Sequence, residues 1–431
     1  MSIDIDAHLP PLRGGRAGRW SSAADAVASI PNGSRVFVSG AAMTPHVLLD
    51  ALHEARSRWT DIEIVAPYLT TRPQVFEDPG RPFRFVTLQA TPAFKYLWSS
   101  GAVQVLPCAY SQFGPLCAAG GAHACDVALL HTSAPGPDGR VSLGLSAGGI
   151  VDVARTAPLV IAQVNPHVPY TLGASELPVE AFDHLVEVDQ PLRIVKDSES
   201  LDDVGRRIAT TAASFVREGA AIQFGVGAMP DAILSQLIGR RGLRVHSGMV
   251  SDACIDLYEA GAVEGPMITA EAVATARMVR WIDRNPAVTM ASGAVTHGLA
   301  VLAGLHRFTS LNSTVEIALD GACNSEIAGG QIISGPGGAP DYAQAAQLAP
   351  EGRAVLALRS SAAKGTVSRI VDRIEAPNPT TLPAYFADVV VTEHGAAEVR
   401  GLPLRERAEA LIAIADPAHR DALRRHVDRN R

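Results

Sequence analysis

The stretch "GSRVFVSGAAMTPHVLLDAL", residues 33–52, returns in altered form as "GAAIQFGVGAMPDAILSQL", residues 219–237. Setting Gly33 on Gly219 gives an offset of 186 residues, which also places Ala42 on Ala228 and Met43 on Met229. Only the extra Thr44 breaks the register. Each copy reads as a short apolar strand, a turn of small residues, a proline near the first helical turn and an apolar helix. Glycine and alanine let backbone N–H groups approach a ligand, and a helix start leaves such groups unpaired, so the unit is suited to hold an anion or oxyanion. Two copies at half-chain spacing predict tandem α/β domains, 1–196 and 197–431. The boundary falls in the polar stretch "DQPLRIVKDSESLDD", Asp189–Asp203.

Bulk properties agree with that plan. A chain of 431 residues exceeds one ordinary core. Its 47% hydrophobic and 5% aromatic residues fit an alanine-rich α/β protein. The 37 basic against 44 acidic residues give no basic excess, which argues against a nucleic-acid partner. "VDVALL", "PLVIAQV", "RAVLAL" and "ADVVVT" read as buried strands, and "LRERAEALIAIA" as a helix, so parallel or mixed sheets covered by helices are expected. No apolar run reaches the ~18 residues a membrane span needs, and the N-terminus lacks an apolar signal core. A soluble, cytoplasmic protein is expected. The five cysteines (108, 117, 125, 254, 323) form no CxxC pair and read as reduced, buried thiols. His123 and Cys125 have no second cluster to complete a metal site, so no metal is expected.

Three motifs bear on chemistry. "GLSAG", Gly144–Gly148, matches a nucleophile-elbow pattern, yet the preceding "GPDGRVSL" is polar and turn-like where an elbow needs a strong strand. "ISGPGGAPDY", Ile332–Tyr342, forces an exposed backbone loop able to aim N–H groups at a phosphate or oxyanion. It lacks the Lys and Ser/Thr of a P-loop. In "LRVHSGMVSD", Leu243–Asp252, the apolar run reads as broken at His246-Ser247. Neighbours on a strand point to opposite faces, which argues against a direct Ser–His couple.

Several longer motifs together resemble the acetyl-CoA hydrolase/transferase family. "VDVALLHTSAPGPDGRVSLG" and "VIAQVNPHVPYTLG" resemble its N-terminal half. "QFGVGAMPDAIL", "SLNSTVEIALDG", "SGPGGAPDY" and "VVVTEHGAAEVRGLPLRERAEALIAIADPAHR" resemble its C-terminal half, in the family's order. The resemblance implies two α/β domains with the active site between them, a homodimer, and coenzyme A bound as the substrate thioester. It implies glycine-rich loops that offer backbone donors, here Gly225, Gly227 and Met229 in one and Gly335, Gly337 and Gly338 in the other. It also implies a glutamate nucleophile that forms an anhydride and then an enzyme–CoA thioester. The family motif around that glutamate, His-Thr/Ser-Glu-Met followed by Ser-Asp, stands here as His246-Ser247-Gly248-Met249 and Ser251-Asp252. Gly248 therefore occupies the nucleophile's position. Two smaller departures accompany it: the family's Gly-Gly-Gln-x-Asp-Phe ends here in Tyr342, and a Gln expected near "LDGACN" is Ala322.

The expected function is hydrolysis of an acyl-CoA, at the thioester or at a C–C bond, without a covalent glutamate. Catalysis would rest on oxyanion donors, with His246 or Asp252 as general base and the absent side chain leaving room for water or a bulkier acyl group. One alternative is transfer of CoA to a carboxylate acceptor, using Asp252, Glu393 or direct attack by the acceptor. Another is acyl-CoA binding without turnover.

Overall fold

The structure is a computed structural model that describes residues 3–77, 82–89, 91–94, 97, 100–195 and 201–429. The chain divides into two compact units, 1–196 with 268–296, and 197–267 with 297–431.

The first unit is built on an eight-stranded parallel sheet. Its order is Arg19–Trp20, His184–Glu187, Leu159–Val164, Val127–Thr132, Arg35–Val38, Ile62–Val65, Phe83–Thr87, Val103–Val105. Alternate residues feed opposite cores, as strand geometry requires. Val36, Val38, Val127 and Leu129 enter one core with Leu48, Leu49 and Leu52 of the helix His46–Glu54. Phe37, Ala128 and Leu130 enter the other with Phe113 of the helix Tyr110–Cys117 and Val151 of the helix Ile150–Thr156. Both faces are covered, which is why "VALLHT" is apolar without alternation and buried throughout.

In the second unit Arg244–Val250, Ala221–Phe224, Thr309–Ser313, Arg353–Ala357 and Val389–Thr392 run parallel in that order. Gly395–Glu398 closes the edge antiparallel, so this sheet is mixed. The helices Ala339–Leu348 and Leu404–Ala413 pack their Tyr342, Ala346, Leu411 and Ile412 into one core with Phe308 and Leu356.

The two repeat copies occupy matching places. The strand of each lies between the next strand in sequence and one reached by a longer crossover: Ile62–Val65 and Val127–Thr132 in the first unit, Arg244–Val250 and Thr309–Ser313 in the second. Gly33 and Gly219 enter their strands with φ of +83° and +68°, a conformation that favours glycine. Their turns differ. In the first copy the turn is filled, since a Cβ on Gly40 would lie 2.1 Å from the Tyr68 carbonyl oxygen, which already accepts from Ala41 N–H. In the second, Val226 and Gly227 are exposed, and nothing lies within 4 Å of a Cβ on Gly227.

Candidate active site

The second unit brings three of the motif segments together. The strand Arg244–Val250 runs unbroken through His246, Ser247 and Gly248, correcting the expected break. It pairs with Ala221–Phe224, whose carboxyl end leads into Gly225. Ser247 Oγ donates to the Phe224 carbonyl at 3.1 Å, so its hydroxyl joins strands. Ser251 Oγ donates to Asp231 at 2.6 Å, tying the start of the helix Asp252–Glu259 to the helix Ala228–Ser235. Asp252 sits half-buried in the first turn of its helix, where a negative charge complements the dipole.

Gly227 caps the helix Ala228–Ser235 with φ +113° and no side-chain capping bond. Met229 is half-buried in its first turn. This helix start leaves backbone N–H groups facing outward, which is what an anion or oxyanion requires. Gly335 is buried, Gly337 has φ +54°, and Gly338 precedes the helix Ala339–Leu348.

Gly248 and Gly338 meet across one side chain that the motifs did not single out. A Cβ on Gly248 would lie 2.8 Å from His297 Cε1 and Nε2, and 2.8 Å from the Tyr342 hydroxyl. A Cβ on Gly338 would lie 2.5 Å from His297 Cδ2 and Nε2. The imidazole is thus enclosed by two glycines and stacks on Tyr342, with ring centroids 4.6 Å apart and planes tilted by 39°. Burial, with His246 nearby, pushes His297 down to about 3, so it is neutral. The Tyr342 hydroxyl is buried against the Gly248 backbone and has no aligned hydrogen-bond partner. The absence of a side chain at position 248 therefore leaves no vacancy: His297 and Tyr342 fill it. The signal in the sequence was the Tyr342 departure, which gained meaning only when paired with Gly248. His297 gave no signal.

Other candidates resolve into structural roles. Glu393 accepts from Ser360 N–H at 2.9 Å and Ser360 Oγ at 2.8 Å. Ser146 of "GLSAG" is buried and bonded to the Glu271 carboxyl. His123 Nε2 lies 3.3 Å from Glu63. All five cysteines are free and buried. Among the described residues, no group of three or more His, Cys, Asp or Glu side chains is placed to hold a metal ion. No described helix is long and apolar enough to cross a membrane.

Comparison with known proteins fits this architecture. A 4-hydroxybutyrate coenzyme A transferase of Clostridium kluyveri is 33% identical over 411 residues, covering 93% of this chain and 95% of that protein. An acetyl-CoA hydrolase of Eremothecium gossypii is 27% identical over 353 residues, covering 70% of this chain and 66% of that protein. The crystal structure of RipA from Yersinia pestis superposes with a TM-score of 0.87 at 27% identity, covering 99% of both chains. Fold and relatives define an enzyme acting on acyl-CoA. The model of the acetyl-CoA hydrolase/transferase N-terminal domain matches residues 18–196, and that of the C-terminal domain matches residues 274–427. The chain belongs to the acetyl-CoA hydrolase/transferase family.

Proposed function

We propose that this protein hydrolyses an acyl-CoA without attaching the acyl group or CoA to itself at position 248. The observation that carries this reading is the closed space at Gly248, where His297 and Tyr342 stand 2.8 Å from any Cβ. A carboxylate nucleophile is absent there, and its volume is taken.

The proposed reaction needs a water, a base and an oxyanion site. Water attacks the thioester carbonyl, and His246 or Asp252 takes its proton. The carbonyl oxygen becomes an oxyanion met by backbone N–H groups near Gly225, Gly227 and Met229 and near Gly335, Gly337 and Gly338. Donors of this kind are each worth ~3 kcal/mol of barrier, enough for catalysis without a covalent intermediate. The C–S bond then breaks, and the CoA thiolate leaves and is protonated. A β-keto or cyclic acyl-CoA cleaved at a C–C bond would use the same oxyanion site.

A second reading is favoured by the relatives named CoA transferases, among them the one at 33% identity. In that reading the acceptor carboxylate attacks the thioester directly. Thiol release from a panel of acyl-CoAs, with and without acetate or succinate, separates the two. Release without acceptor supports hydrolysis; release only with acceptor supports transfer. His246→Ala and Asp252→Asn identify the base by loss of release.

A further inference from the structure

The first unit holds a polar cluster that the reaction above does not use. Glu271 lies in the strand Met267–Ala272 with its side chain partly accessible. Its Oε1 accepts from the Tyr110 hydroxyl at 2.7 Å, and the Ser146 hydroxyl is its second partner. The Tyr68 phenol stands near enough for the Glu271 charge to raise its acidity constant. Burial pushes the Glu271 carboxyl up, the two hydroxyls offset this in part, and no basic side chain contributes. A carboxyl in this setting surrounded by hydroxyls alone is a costly structural tie, because nothing neutralises its charge.

The placement points to a ligand. Tyr68 follows the strand Ile62–Val65, and Tyr110 follows Val103–Val105 and opens a helix. Both therefore stand at the carboxyl ends of parallel strands, where α/β sheets bind their ligands. The segment carrying Ser146 is laid along the Glu271 strand by Ala147 N–H to the Ala270 carbonyl at 2.8 Å and Ala272 N–H to the Leu145 carbonyl at 2.9 Å. Gly148 has no side chain where a Cβ would lie 2.1 Å from the Tyr110 hydroxyl. The "GLSAG" motif thus serves as the wall that lets the tyrosine reach the carboxyl.

We propose that Glu271, Tyr110, Tyr68 and Ser146 form a recognition site for an oxygenated acyl chain, one carrying a hydroxyl or a ketone oxygen. A hydroxyl donates to the Glu271 carboxylate; a ketone oxygen accepts from a phenol or from the protonated carboxyl. A plain alkyl chain would leave these groups unpaired, and a site built for a polar partner discriminates strongly against the analogue that lacks it. The proposal rests on the acyl-CoA reading and names its substrate class.

The test compares CoA, butyryl-CoA, 3-hydroxybutyryl-CoA and 3-oxobutyryl-CoA by calorimetry on the full-length protein and on Glu271→Leu and Tyr110→Phe. We expect an oxygenated thioester to bind roughly 10- to 100-fold tighter than butyryl-CoA. Which one does so tells hydroxyl from ketone. Glu271→Leu should abolish that preference while CoA alone binds as before. Equal binding of all three thioesters to the wild type overturns the site, as does a preference that survives both substitutions. If Glu271→Leu loses CoA as well, Tyr110→Phe decides, and an unchanged preference there counts against the site. If neither CoA nor any thioester binds, the acyl-CoA reading fails. The comparison of 3-hydroxybutyrate and acetoacetate with butyrate then judges the cluster alone, and equal binding overturns it.

Discussion

At the residue scale, Gly248 and Tyr342 act as a pair. The strand tolerates a side chain at 248 conformationally, since its φ lies outside the positive region. Sterically it does not, because three atoms stand 2.8 Å from the Cβ position. Gly248→Glu is therefore expected to lose ~1–3 kcal/mol of stability, the usual cost of overpacking, read as a lower midpoint in urea. Tyr342→Phe removes an unsatisfied hydroxyl and should be neutral or stabilising by ~1 kcal/mol. The double variant should lose less than the sum of the singles, and strict additivity would show that the two positions are uncoupled. Only the double variant is expected to give an enzyme–CoA adduct by intact mass; the wild-type protein should give none. The sequence displayed both departures, yet their meeting was not legible, because the two positions lie 94 residues apart and only the packed core joins them.

At the element scale, the parallel strands were legible because burial on both faces leaves a continuous apolar run. "RAVLAL" and "ADVVVT" became Arg353–Ala357 and Val389–Thr392. The two-residue edge strand Arg19–Trp20, exposed along its length, carries no such run. The contact between the helices Tyr110–Cys117 and Ile150–Thr156 holds another feature hidden from spacing. Asp152 is buried with Oδ2 unpartnered, and a Cβ on Gly114 would lie 2.2 Å from it. Burial raises Asp152 to about 7 from its ordinary 3.8. The folded state then binds this proton more tightly than the unfolded chain. The stabilisation is complete below pH ~4 and is lost as pH climbs toward ~7, on the order of 4 kcal/mol in all. Asp152→Asn should remove that slope, so its stability advantage over wild type should grow between pH 4 and pH 7 in urea titrations. A difference that stays flat with pH would show that Asp152 does not titrate in this window.

At the scale of the molecule, the repeat predicted tandem α/β units, and both sheets place their copy alike. Sequence spacing could not show that 268–296 joins the first unit, since that depends on which strand ends pair in space. Within this unit the segment supplies Glu271 to Tyr110, Asp283 to the Tyr170 amide at 2.7 Å, and Met290 to the Leu172 and Ala174 backbones at 2.9 Å. Residues 1–196 expressed alone should therefore melt without a cooperative transition by circular dichroism. The same fragment joined to 268–296 by a flexible linker should regain one. Cooperative melting of 1–196 alone would show that the segment is dispensable. This discontinuity also sets a schedule for the nascent chain. The ribosome delivers the last piece of the first unit about a hundred residues after its main body, a wait on the order of 5–20 s at ordinary elongation rates. Through that interval the Ser146 and Tyr110 loops remain without Glu271, so this unit matures only once much of its neighbour has been synthesised.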